Sequence, residues 1–191
     1  VDEAGAGPLA GPGYAAAVIL PEGLALPYLN DSKQVSPKRR DALFDQIRER
    51  ALAFSIASVG PAEIDETDIL SARIRAMQLA IDGLSLPADF ALIDGNRDKG
   101  RRCAITTAHR TIVRGDSLSA SIAAASILAK VSRDRYMEEL DKACPQYQFA
   151  RHKGYGTALH YAMLDTYGPC DAHRRSFLKK WEARREQEST G

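Results

Sequence analysis

Short apolar runs alternate with amphipathic stretches along the first 140 residues, and that alternation restricts the fold more than any other feature. The runs are "YAAAVIL" from residue 14, "ALAFSIASV" from 51, "DFALIDGN" from 89 and "RTIVRGD" from 110. Each is too short for a buried helix, and glycine, proline or aspartate bounds it, so each is predicted to be a strand. The first is expected to pair with an opening strand that ends near Asp2. Between them lie helical patterns. "SPKRRDALFDQIRER" offers Ser36 as N-cap, Pro37 at the first helical position and a stripe of Leu43, Phe44 and Ile47. Residues 65–84 carry Ile69, Leu70, Ile74, Met77 and Ile81 at helical spacing, and residues 117–140 predict a long helix rich in small side chains. Residues 156–168 and 174–186 predict two more helices. The expectation is an α/β fold, a sheet flanked by helices with a helical C-terminal region. Its expected parts are a main domain over 1–140 and a helical extension over 141–191 packed on it, one globular unit.

Charge is distributed unevenly. The formal net charge of the 191 residues is only +1, yet residues 97–135 hold nine Lys/Arg against three Asp, and residues 151–191 are also net basic. The remainder is acidic. Such an asymmetry suits a positive face around an acidic centre, although solvated helix faces produce it too. Cys103, Cys144 and Cys170 are odd in number and widely spaced, with no CxxC. That argues against a disulfide framework or a structural zinc site and points to a reducing cytoplasm. No apolar run approaches the ~20 residues of a membrane span. The chain starts at Val1 inside a predicted strand, which leaves open what preceded it.

The opening "VDEAGAGPLAGPG" invites two explanations. Gly5, Gly7 and Ala10 satisfy the spacing of a dinucleotide fingerprint, but that fingerprint must open a helix, and here Pro8 and Pro12 lead into an apolar strand. A P-loop fails for want of Gly-Lys-Ser/Thr. A plain hairpin loop remains, as does a loop serving the carboxylates beside it. Neighbouring side chains on a strand face opposite ways, so Asp2 and Glu3 share a site only if the backbone turns directly after them. Glycines at 5 and 7 permit that turn.

Asp94 closes the apolar run "FALI" and Asp116 follows "TIVRG". Singly, each reads as a turn or N-cap aspartate. Together with Asp2 and Glu3, each at the end of an apolar run, they form a set of hard oxygen ligands suited to Mg²⁺ or Mn²⁺. Two such ions roughly 4 Å apart serve phosphodiester hydrolysis. The residues alone reach a candidate metal-dependent phosphoryl-transfer site.

Seven blocks, in order, resemble the motifs of type 2 ribonuclease H (ribonuclease HII): "DEAGAGPLAGP", "NDSKQVSPKRR", "IDETDIL", "LIDGN", "RGDSLSASIAAASILAKVSRDR", "PQYQFARHKGYGT" and "HRRSF". The resemblance implies a ribonuclease H-like mixed β-sheet. It implies an endonuclease that cuts the RNA strand of RNA–DNA hybrids and nicks duplex DNA 5′ to an embedded ribonucleotide, leaving 3′-hydroxyl and 5′-phosphate ends. It puts the catalytic, metal-holding carboxylates at Asp2, Glu3, Asp94 and Asp116, with two Mn²⁺ or Mg²⁺ ions as cofactor. The family's Gly-Arg-Gly motif falls on Gly5, Ala6 and Gly7, whose backbone would meet the 2′-hydroxyl that tells RNA from DNA. Ala6 departs from it: the arginine expected there would hold a phosphate. Tyr155 would pack on the deoxyribose after the ribonucleotide, and Lys33 would contact a phosphate. Asn30, Ser32 and Lys130 occupy motif positions too, for phosphate contact or support. His173 and Arg174 lie where the family's helical tail meets DNA.

His109 matches no motif and is expected at the surface, and Gly13 replaces an expected β-former. A monomer is expected, without membrane contact. The rival readings are another metal-dependent nuclease of this fold and a catalytically idle hybrid-binding protein.

Overall fold

The computed structural model describes residues 1–24, 26, 27, 29 and 35–189. Its central strand is β2 (Gly13–Ile19), whose consecutive small side chains from Ala15 to Val18 are all buried, as a strand covered on both faces requires. β2 pairs antiparallel with β1 (Asp2–Ala4), placing Asp2 opposite Ala16, and with β3 (Ala53–Val59) on its other side. β4 (Ala91–Asp94) and β5 (His109–Ile112) form a parallel pair. Val1 joins the two ladders: its N–H donates to Leu92 O at 2.8 Å and its carbonyl accepts from Asp94 N–H at 3.0 Å. The sheet is therefore mixed, and the ends of β1 and β4 lie side by side.

Alternation along β2 divides the core. Ala16 and Val18 pack with α1 (Pro37–Arg50), through Leu43, Phe44 and Ile47, and with α5 (Ala120–Ala143), through Ala124, Ile127 and Leu128. Ala15 and Ala17 face α3 (Ile69–Asp82), through Ile74, Met77 and Ala80. Ser36 holds the N-cap position of α1, with no side-chain cap bond.

Two predicted helices are divided. The predicted helix over 65–84 is cut near its start: residues 65 and 66 belong to α2 (Pro61–Glu66) and α3 follows, because the Asp68 carboxylate accepts the Ser71 N–H at 2.9 Å and starts a new helix. The stretch before α5 splits off a single turn, α4 (Gly115–Leu118), and Ser119 caps α5. Asp and Ser satisfy either a helix interior or a cap on paper; here capping wins.

Beyond α5 come a 3₁₀ turn (Pro145–Tyr147), α6 (Phe149–His152), α7 (Ala158–Tyr167) and α8 (Arg175–Ser189). Their cores take in the start of the chain. Ala10 packs with Met137, Tyr147 and Phe149, and Leu9 with Leu164 and Leu178. All three cysteines are free thiols, and no helix of the described residues is long and apolar enough to cross a membrane.

Candidate active site

Asp2 and Glu3 come from β1, Asp94 from the last position of β4, and Asp116 from α4. Local backbone geometry brings them together. Gly5, at φ +92°, turns the chain directly after β1. Arg114, at φ 55° and ψ 40°, turns it again so that α4 begins at once. Gly115 N–H then donates to Asp94 Oδ1 at 2.7 Å, tying the turn that carries Asp116 to the end of β4. A side chain at 115 would lie 2.5 Å from Ile122 Cδ1 and 3.2 Å from Asp94 Oδ1, so anything larger than glycine would push against both. The four carboxylates line one cleft of about 480 Å³ together with Gly5, Ala6, Gly7 and Tyr155. Arg40, Ser126 and Lys130 complete its wall.

Burial governs the electrostatics. Asp2 is only 5% exposed, and desolvation, reinforced by Glu3 and Asp94, holds its carboxyl well above the usual carboxylate range. Ser126 and the Glu3 amide donate to it in partial compensation, the amide at 2.7 Å. Glu3 is also raised, by burial first, although its ion pair with Arg73 works against that. Its second oxygen, Oε2, is buried and accepts no hydrogen bond among the described residues. Crowded, desolvated carboxylates with an unsatisfied buried oxygen are destabilised as they stand, and a hard cation relieves that. The donor set fits a divalent ion in this sense. Among the described residues, however, no group of three or more His, Cys, Asp or Glu side chains is arranged to hold a metal ion as the side chains stand. Arg73 and Gly115 occupy carboxylate oxygens that such an ion would need to share or take over.

Two fully buried arginines hold the loop after β1. Arg133 donates from Nε to Pro12 O at 3.1 Å and from Nη2 to Ala10 O at 3.2 Å. Arg174 donates from Nε to Gly11 O at 2.9 Å, from Nη1 to Ala6 O at 3.2 Å and from Nη2 to Gly5 O at 2.7 Å. Five carbonyls of residues 5–12 thus point into the protein. Among the described residues, no hydrogen bond takes the amide N–H of Ala6 or Gly7. Gly5 is fixed by contact as well as by φ, since a Cβ there would stand 2.1 Å from Arg133 Nε.

Tyr155 is 44% exposed, its ring below the Arg133 guanidinium at 5.8 Å, and a Cβ on Gly7 would come within 3.8 Å of its Cε1. Glycine at 7 therefore keeps open a slot beside the ring. Lys130 pairs with Asp134 at 2.6 Å, and Arg40 reaches the same carboxylate at 3.5 Å. Lys33, Asn30 and Ser32 lie outside the described residues. His173 and Arg174, placed at a DNA contact by resemblance, are instead buried, 2% and 0% exposed, and brace the protein's own backbone. His109 is half-buried, bonded to Thr107 O at 2.7 Å and to Asp98 at 3.3 Å, rather than a free surface residue.

The sequence reading gave no role to Arg40, Arg73, Ser126 or Arg133. Single basic or hydroxyl residues on helices carry no spacing signal.

With this geometry in place, comparison with known proteins is direct. The family model for ribonuclease HII matches residues 1–180. The chain is 52% identical over 179 residues to a ribonuclease HII of Shewanella sp. (strain MR-7), covering 93% of this chain and 85% of that protein. The solved ribonuclease H2 of Pyrococcus horikoshii OT3 superimposes with a TM-score of 0.77 at 24% identity, over 96% of this chain and 95% of that one. The ribonuclease HII of Archaeoglobus fulgidus, solved in complex with PCNA, gives 0.74 at 25% identity over 91% of each chain. This chain belongs to the ribonuclease HII family.

Proposed function

We propose that this protein hydrolyses the RNA strand of RNA–DNA hybrids and nicks duplex DNA on the 5′ side of an embedded ribonucleotide, leaving 3′-hydroxyl and 5′-phosphate ends. The observation that carries the reading is the convergence of Asp2, Glu3, Asp94 and Asp116 in one cleft with the backbone of residues 5–7 and the Tyr155 ring. The carboxylates would hold two Mg²⁺ or Mn²⁺ ions, which when bound supply an acidified water and neutralise charge at the scissile phosphate.

The chain's own groups do the rest. The amides of Ala6 and Gly7, unclaimed among the described residues, are available to a ribose 2′-hydroxyl, the group that distinguishes RNA from DNA. Tyr155 offers an aromatic face that suits any sequence. Arg40 and Lys130, on the cleft wall, face the phosphate backbone, and Lys33 is read as a further phosphate contact. Ala6 lacks the arginine fork that would grip a phosphate bidentately, so substrate positioning is weaker than the motif would give. The protein is read as a cytoplasmic monomer.

One assay tests this. An RNA–DNA hybrid, a DNA duplex with one ribonucleotide and an all-DNA duplex are incubated with Mg²⁺, Mn²⁺ or EDTA and resolved on a gel. Cleavage of the first two only, abolished by EDTA, is expected. Cleavage of the all-DNA duplex would assign a different nuclease of this fold, and binding without cleavage an idle one.

A further inference from the structure

Two consecutive residues just before the last helix, His173 and Arg174, reach the two walls of the candidate ribose slot from behind. Arg174 holds one wall through Gly5 O and Ala6 O. His173 holds the other through a relay. Its Nδ1 accepts the Cys170 N–H at 3.0 Å, so its proton sits on Nε2, 3.0 Å from His160 Nε2. His160 must then carry its proton on Nδ1, which donates to Tyr155 O at 3.0 Å. His152 stacks on His160 with ring centroids 4.3 Å apart and accepts the Gly154 N–H at 3.2 Å.

These groups have no reason to be buried on grounds of stability alone. Imidazoles and a guanidinium surrounded by carbonyls pack no better than apolar side chains of equal volume, and each must find a partner for every donor. What they supply is direction: a planar fork and a ring each fix a carbonyl at one distance and angle. The two anchors are also joined to each other. Residues 9–11 pair with residues 172–174 through Arg174 N–H to Leu9 O and Gly11 N–H to Ala172 O, both at 2.8 Å, and an isolated bridge links Ala10 and His173.

We propose that Arg174 and the His160–His173 pair are positioning residues that set the width of the slot between the backbone of residues 5–7 and the ring of Tyr155. The proposal deepens the reading of that slot as the place of a ribose and rests on it for its kinetic half. Its structural half stands on the hydrogen bonds alone. Because Arg174 and His173 share one backbone, loosening either wall loosens the register of the other.

The test uses the full chain with R174K, H160A and H160N. Lysine keeps the charge of Arg174 but offers one freely rotating nitrogen in place of three in a fixed plane. Asparagine at 160 keeps an N–H at the position of the His160 Nδ1 that faces Tyr155 O, whereas alanine does not. Hydrogen–deuterium exchange is followed over residues 4–12 and 153–158 without substrate, alongside KM and kcat on a duplex with one ribonucleotide.

In R174K the exchange of residues 4–12 should rise about tenfold and KM about tenfold, with kcat within about threefold, the mark of lost positioning rather than lost chemistry. H160A should do the same through residues 153–158, and H160N should stay within about threefold of the parent. If R174K and H160A melt earlier but keep parental exchange in both segments and parental KM, the residues are structural only and the proposal is overturned. Faster exchange with unchanged KM would keep the positioning role but remove the slot from ribose recognition. A parent chain that cuts no ribonucleotide substrate would overturn the functional reading, while the exchange data still decide the positioning.

Discussion

The two halves of α5 are buried in opposite ways. Its first half meets the sheet through Ala123, Ala124, Ala125, Ile127, Leu128 and Ala129, all 2% exposed or less, in a contact that is apolar except for Ser126, which donates to Asp2. Its second half carries Arg133 and Met137 into a region where Arg174, His152, His160 and His173 are buried as well. Apolar packing answers mainly to volume and tolerates repacking. A buried polar network answers to donor count and angle, and one missing partner leaves the others unpaired. The first half therefore secures the fold. The second shapes the loop beside the carboxylates, and the two should fail differently when perturbed.

The largest effect is expected where neither half is touched. Asp94→Asn keeps an oxygen for the Gly115 N–H, so the turn carrying Asp116 stays in place. It removes one negative charge from the cleft that is read as holding the metal ions. Hybrid cleavage should fall by at least about 100-fold, with binding to hybrid and the melting temperature nearly unchanged. Robust cleavage by this variant would remove Asp94 from the proposed chemistry.

Next come two perturbations that separate the halves. Leu128→Ala empties volume in the apolar half and should lose about 2–5 kcal/mol of stability, by about the same amount at pH 7 and pH 5. The polar half should respond to pH instead. Burial lowers His160 and His173 from 6.5 to about 4, so both are neutral in the folded chain. The unfolded chain takes up protons first as pH falls. The stability tied to neutral histidine is therefore complete above about pH 6.5 and is lost progressively toward pH 4. Melting curves between pH 7.5 and 4.5 should show this decline in the parent and a shallower one in H173Q. Equal slopes would show that the histidines do not couple folding to pH.

This contrast also marks what the sequence disclosed. Strands and core helices were legible because apolar periodicity records burial directly: Ala15 to Val18, Leu43, Phe44 and Ile47 were all readable. The candidate carboxylates stood out because Asp2, Glu3, Asp94 and Asp116 each close an apolar run. The breaks at Asp68 and Ser119 were missed because a cap and a helix interior accept the same residues. Arg133, Arg174 and the three histidines were illegible for a deeper reason. The two arginines are buried because distant backbone atoms satisfy them, up to 169 positions away, and the histidines because they bond one another and nearby backbone within 13 positions, in a pattern without a repeating spacing.

Ala6→Arg would add a charged partner to the wall that Arg174 braces, without touching the network behind it. A recovered charged hydrogen bond to phosphate is worth about 1.5–3 kcal/mol, or roughly 10- to 150-fold in kcat/KM on a single-ribonucleotide duplex. Unchanged kinetics would mean that Arg40 and Lys130 already supply all the phosphate contact the cleft uses.

The smallest effect contrasts two glycines. Gly5 cannot be replaced without meeting Arg133, but a Cβ built on Gly13 meets nothing within 4 Å. Gly13 opens β2 opposite Val59, where its residue pairs across the ladder. Glycine in a strand leaves the unfolded chain more freedom to lose and presents no side chain to its neighbour. Gly13→Val should therefore stabilise by about 0.5–1 kcal/mol, a rise of a few degrees at most in a chain of this length. It lies in the sheet rather than in the polar network, so KM on the ribonucleotide duplex should not move. A gain in melting temperature accompanied by a changed KM would show that the sheet and the loop after β1 are mechanically coupled, and the division drawn along α5 would have to be given up.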